Sequence, residues 1–184
     1  MKLNSTSTLE FVRLFSSGAR DLIQNSTGKQ IHVSKTALQV TGIQINGDIG
    51  AFVAFRGDYS GIMVMNFESG AALEIVSEIL IKMGFPEEDI PTHHGSDEIR
   101  SNIGELVNQI IGKCRTMAQE KFDLTARANI PAVIPITVPI ALTMVAKEPA
   151  EMECVRIAFT TARRNKFYME LALEPMLGMP LDTD

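Results

Sequence analysis

Four residues at fixed spacing could do chemistry together: Ser101, Glu105 after three intervening residues, Asn108 after two more, and Pro131 after another twenty-two. Steps of four and three place a hydroxyl, a carboxylate and a side-chain amide on one stripe of a helix. A phosphorylated side chain on a partner molecule could meet all three groups at once.

The surrounding residues predict that helix. At 100° per residue with Ser101 at zero, Ile103, Leu106, Val107, Ile110, Cys114 and Met117 fall between about 140° and 240°, the width of a buried face. Glu105 falls near 40°, Asn108 near 340° and Gly112 near 20°, on the opposite stripe, so roughly the side that meets water. Ser96 supplies a capping hydroxyl and Asp97 and Glu98 first-turn acids, which predicts a helix from Ser96 to Phe122. Gly104 and Gly112 interrupt it, each costing about 0.5–1 kcal/mol relative to alanine. Gly112 lies on the polar stripe, where no core crowding asks for a small residue, and this points to close approach from outside. Polar residues on a solvated helix face are ordinary and a lone Glu-x-x-Asn is common, so the information lies in the full pattern with its distant Pro131.

At these residues the sequence resembles the CheC/CheX family of chemotaxis phosphatases, whose signature is Asp or Ser, three residues, Glu, two residues, Asn, twenty-two residues, Pro. Ser101, Glu105, Asn108 and Pro131 fill all four places. Gly104 to Gly112 and the strand pair around Gly57 to Phe67 also read like family segments, so the likeness covers most of the chain. The resemblance implies hydrolysis of the aspartyl phosphate on a CheY-like response regulator in two-component signalling. Such a substrate brings its own lysine and divalent metal, expected to be magnesium, so the phosphatase needs no cofactor of its own and supplies mainly positioning. On this reading Asn108 orients the attacking water, since an amide donates and accepts hydrogen bonds without adding negative charge beside the phosphoryl group. Glu105 pairs with the partner's lysine, Ser101 helps at the rim, Gly112 permits approach and Pro131 shapes the floor beside the helix. A homodimer through sheet edges is also implied. A module that docks on a phosphorylated receiver or a flagellar switch component without hydrolysis would use the same face, with Glu105 as the contact and Asn108 merely polar.

The elements that must hold this face are marked by the chain's punctuation. Ser7 and Glu10, in capping-box spacing, precede Val12, Phe15, Ala19, Leu22 and Ile23, an apolar stripe of helical period running to about Asn25. Strands are predicted at Gln30 to Val33, Leu38 to Ile45, Ala51 to Phe55 and Gly61 to Asn66, with turns at Asn46-Gly47 and Arg56-Gly57-Asp58. Ser69 is expected to cap a second helix through Leu73, Val76, Ile79, Leu80 and Met83, stopped by Gly84 and Pro86. Ile130 to Ala146 is almost wholly apolar, but Pro131, Pro135 and Pro139 exclude a membrane helix and predict a turn followed by a strand from Ile136 to Ala146. Glu153 to Thr160 and Lys166 to Leu173 complete the strands, joined by a hairpin at Arg163-Arg164-Asn165. Helices on one face of an antiparallel sheet are the economical packing, an α+β fold. The element order suggests two related halves, which is how the resembled family is built.

The first helix echoes the pattern with Ser17, Asp21 and Gln24 at the same spacing, and Gly47 where Pro would stand. Shortening Glu to Asp and lengthening Asn to Gln each move the functional group by about one bond, enough to misplace a water. A single working face is expected, with the echo inactive.

With 184 residues and 45% hydrophobic content the chain can bury one sizeable core, so one domain over 1–184 is expected. A net charge of −5 and pI near 5.3, with no basic run longer than Arg163-Arg164, argue against nucleic acid or an anionic membrane as partner. The start of the chain lacks a secretory apolar stretch, which predicts a cytoplasmic protein. Cys114 and Cys154 read as buried thiols. A metal site at His93 and His94 with Asp97 and Glu98 is disfavoured, since adjacent histidines in a loop cannot easily face one ion. His32 reads as a packed or edge residue, and the ten methionines as core filling. The segment 174–184 reads as a mobile end or a partner contact.

Overall fold

Three amphipathic stretches fold as the helical periods require. The computed structural model describes residues 6–138, 140–142 and 152–174. Helix α1 (Thr6–Thr27) buries Val12, Phe15, Ala19 and Ile23. It ends where Gly28, at φ +70°, donates its N–H to the Gln24 carbonyl. Helix α2 (Ser69–Lys82) buries Ala72, Ile75, Val76 and Leu80, and helix α3 (Asp97–Phe122) buries Ile103, Leu106, Val107, Ile110 and Cys114. The Ser96 hydroxyl caps α3 by accepting the Ile99 N–H at 3.2 Å, as the sequence predicts. Ser69 does not cap α2. It lies in the first turn, and the Asp48 carboxylate reaches across from a distant turn to accept its N–H at 2.6 Å, giving the positive helix end a full negative charge. Helix α1 likewise starts at Thr6, ahead of Ser7.

The strands are β1 (His32–Val40), β2 (Ile43–Ile45), β3 (Ile49–Gly57), β4 (Gly61–Phe67), β5 (Ala126–Ala128), β6 (Ala132–Pro135), β7 (Ile140–Leu142), β8 (Glu153–Thr160) and β9 (Lys166–Leu173). The main sheet is antiparallel throughout, in the order β1-β8-β9-β4-β3-β5, with β6 also on β3; β2 and β7 form a separate pair. The two last strands match the predicted limits. The predicted strand from Leu38 to Ile45 is divided by a bend at Thr41 and Gly42 that sends β2 out of the main sheet. The predicted strand from Ile136 to Ala146 starts earlier, as β6, because an edge position tolerates Pro135; β7 then leaves for the small sheet, and 143–146 lie outside the described residues.

Register along β3 exposes a bulge. Phe55 pairs with Ala128 and Phe52 with Ala132, so Val53 and Ala54 face three residues, Asn129, Ile130 and Pro131. One extra residue there inverts the alternation, and accordingly Ala128 and Val133, of opposite parity, both pack into the helix-side core.

All three helices cover one face of the main sheet around a core that includes Phe11, Phe15, Phe55, Phe67, Phe159 and Phe167. A smaller cluster on the other face, with Ile43, Ile45, Val64, Cys154 and Ala172, lies under the β2–β7 pair. Two halves of like order are visible: α1-β1-β2-β3-β4 and α3-β5/β6-β7-β8-β9. Strands β4 and β9 join them at the centre, β2 pairs its counterpart β7, and each half's first strand crosses to the outer edge of the other half. Helices α1 and α3 are therefore equivalent in position.

Candidate functional site

Helix α3 presents the predicted stripe outward. Ser101, Glu105 and Asn108 are exposed while the opposite arc is buried, with Met117 half-buried at its margin. The helix is 26 residues long and anchored along its length by the core, so the stripe is a rigid display. Glu105 Oε1 accepts a hydrogen bond from Gln109 Nε2 at 2.9 Å, an i,i+4 contact that orients the carboxylate. Among the described residues, Asn108 has no hydrogen-bond partner for its amide, so both its donor and its acceptor face water.

The two glycines of α3 have different causes. A Cβ on Gly104 would meet Val133 Cγ2 at 3.2 Å, so β6 leaves little room there for a larger residue. A Cβ on Gly112 would meet nothing within 4 Å, so no internal contact calls for glycine on the outward stripe. Pro131 is half-buried in the bulge immediately before β6 and two residues from Val133. The five residues Ser101, Glu105, Asn108, Gly112 and Pro131 thus fall into an outward row on α3 and a strand-edge neighbour, joined through the Gly104–Val133 approach. One residue beside them was hidden in the apolar run: Ile130 is 90% exposed at the bulge. The signal is a large apolar residue wedged between Asn129 and Pro131, two residues of turn character.

The echo on α1 is consumed by the fold. Ser17 Oγ donates to the Leu14 carbonyl at 3.0 Å, Asp21 pairs with Arg20 at 2.7 Å, and Gln24 Oε1 accepts the Ile31 N–H at 2.9 Å. The His93 and His94 rings stack with centroids 4.9 Å apart, and His93 Nδ1 accepts the Gly95 N–H. Among the described residues no group of three His, Cys, Asp or Glu side chains could hold a metal ion. His32 is exposed at the start of the edge strand β1. Cys114 and Cys154 are free buried thiols, and burial pushes the Cys114 thiol up to about 12.

A family model described as a protein of unknown function, DUF3334, matches residues 4–177. The chain belongs to the DUF3334 family. No curated protein matches this DUF3334 sequence. Solved structures do. The chemotaxis protein CheX from Desulfovibrio desulfuricans is 22% identical with a TM-score of 0.71, over 90% of this chain and 99% of that one. A putative chemotaxis protein from Desulfovibrio vulgaris Hildenborough is 20% identical with a TM-score of 0.72, over 90% and 97%. The CheX-CheY-BeF3-Mg complex from Borrelia burgdorferi is 13% identical with a TM-score of 0.63, over 90% and 98%. This DUF3334 chain therefore has the α+β fold of CheX and CheC-like chemotaxis proteins, with the antiparallel sheet and helix layer expected from the sequence. No described helix is long and apolar enough to cross a membrane.

Proposed function

We propose that this protein docks α3 on a phosphorylated CheY-like receiver domain and speeds hydrolysis of its aspartyl phosphate in chemotaxis signalling. The observation that carries this reading is the outward pairing of Glu105 and Asn108, one turn apart on a rigid helix, beside a Gly112 that leaves room for another molecule. The structural likeness to a CheX bound to CheY with a phosphate mimic and magnesium supports it. Water attacks phosphorus in line as the bond to the aspartyl oxygen breaks; the carboxylate leaves with the electron pair, and the water's proton passes to the phosphate. Asn108 holds that water in line through its amide, and Glu105 fixes the approach by pairing with the receiver's lysine. Ser101 borders the contact, and Pro131 sets the edge strand beside Asn108. The divalent ion belongs to the receiver, so this chain requires no cofactor. The protein acts in the cytoplasm, and the outer edge of β1 is where a second copy would extend the sheet into a homodimer.

The test is phosphate release from the host's phosphorylated receiver domains. Turnover at substoichiometric protein supports the phosphatase. Stoichiometric binding that protects the phosphate assigns the same face to a docking module without hydrolysis, and the absence of both rejects the proposal.

A further inference from the structure

Two contacts on different turns of α3 put Ile130 about level with Asn108 along the helix. Gly104 abuts Val133, and Arg115 Nε donates to the Ala126 carbonyl at 2.6 Å, so β5 and β6 run back along the helix in the opposite direction. Asn108 is about 6 Å along the axis from Gly104, roughly a third of the way to Arg115. The same fraction of the way from Val133 to Ala126 falls at Ile130 and Pro131. Around the helix, with Ser101 at zero, Gly104 lies near 300° and Arg115 near 320°, so the edge strand flanks the side on which Asn108, near 340°, is the first site residue. The bulge at 129–131 therefore falls about level with Asn108, on the side of α3 that the edge strand flanks.

A bulge by itself can serve to blunt a sheet edge against unwanted pairing, and Pro131 already removes a donor there. Edge protection gives no reason for a large apolar side chain at the apex, left 90% exposed in water. Resting on the proposed receiver contact, we infer that Ile130 is a specificity-determining anchor: it buries itself in the receiver's apolar surface beside the phosphorylated aspartate and so supplies affinity for receivers that carry an apolar surface there. Bulges re-aim side chains in this way next to working sites.

Two measurements on wild type, Ile130→Ser, Ile130→Val and Asn108→Ala test this: titration against the host's receiver domains loaded with beryllofluoride and magnesium, and phosphate release from the same receivers in phosphorylated form. Loss of one buried isoleucine contact weakens binding by about ten- to thirtyfold. Ile130→Ser is expected to raise Kd and KM by that factor with kcat within about twofold and an unchanged melting temperature, and Ile130→Val to restore most of it. Asn108→Ala is expected to do the reverse, lowering kcat and sparing Kd. Should serine disturb the bulge, Ile130→Ala with a wild-type melting curve replaces it. Wild-type Kd in a folded Ile130→Ser protein overturns the anchor and leaves the role of Asn108 standing. Failure of the wild type to bind any loaded receiver overturns both.

Discussion

Replacing Asn108 by alanine removes an amide that can both give and take a hydrogen bond on the outward stripe, and leaves the buried arc of α3 untouched. If orienting the water supplies a hundredfold, kcat falls by that factor, about 2.7 kcal/mol, while the melting temperature and partner affinity hold; phosphate release and thermal melts read the two. Glu105→Lys acts differently. In the proposed contact it sets two cations against each other, so affinity for the loaded receiver is expected to fall by at least about tenfold and to recover partly at high ionic strength, measurable by titration at two salt concentrations. The exposure of Ser101, Glu105 and Asn108 was legible because angles along one helix are local arithmetic. The commitments of Gln24 and Asp48 were not, since the one side chain is claimed by a backbone N–H just ahead of β1 and the other by one in α2, and spacing carries no record of that.

Within α3 the two glycines differ in what surrounds them. Gly112→Ala places its methyl in open space, so the folded chain gains about 0.5–1 kcal/mol of helix propensity and about 2 °C in melting temperature, while receiver binding weakens. Gly104→Ala drives a methyl against Val133, and no gain in melting temperature is expected. A Gly112→Ala protein that binds as tightly as wild type would return that residue to an ordinary helix position. Helices and the last two strands were readable because period and punctuation agree in them. The β5–β6 bulge and the departure of β2 and β7 were not, because both depend on which strand lies alongside, a choice made by pairing rather than by local preference.

Across the molecule, stability is expected to hold to about pH 9 and fall above it. Burial raises Cys114 from its usual 9.0 to about 12, and burial likewise raises Tyr59 from 10.0 to about 12, the phenol of Tyr59 packing against Phe11 and Phe55. Both groups stabilise the fold in their neutral forms. That contribution is complete below the unfolded values and is lost as pH climbs through them towards about 12, so thermal melts at rising pH should show the decline begin near 9. On the acid side, donation from the Thr125 N–H and hydroxyl holds the Asp58 carboxyl below its usual 3.8, so the tie between the β3–β4 turn and the start of β5 is present above that value and loosens below it. The two-half arrangement was foreseeable from element order, and so was the departure of Asp21 and Gln24 from the α3 pattern; the bonds that tie down Ser17 and Gln24 were not. Because Gln24 clasps the Ile31 N–H, shortening it to Asn to match α3 would strand that amide proton, at about 1–3 kcal/mol if it stays out of water. The difference between the two matching helices is thereby self-preserving: a change at position 24 towards the α3 pattern passes through a weaker fold.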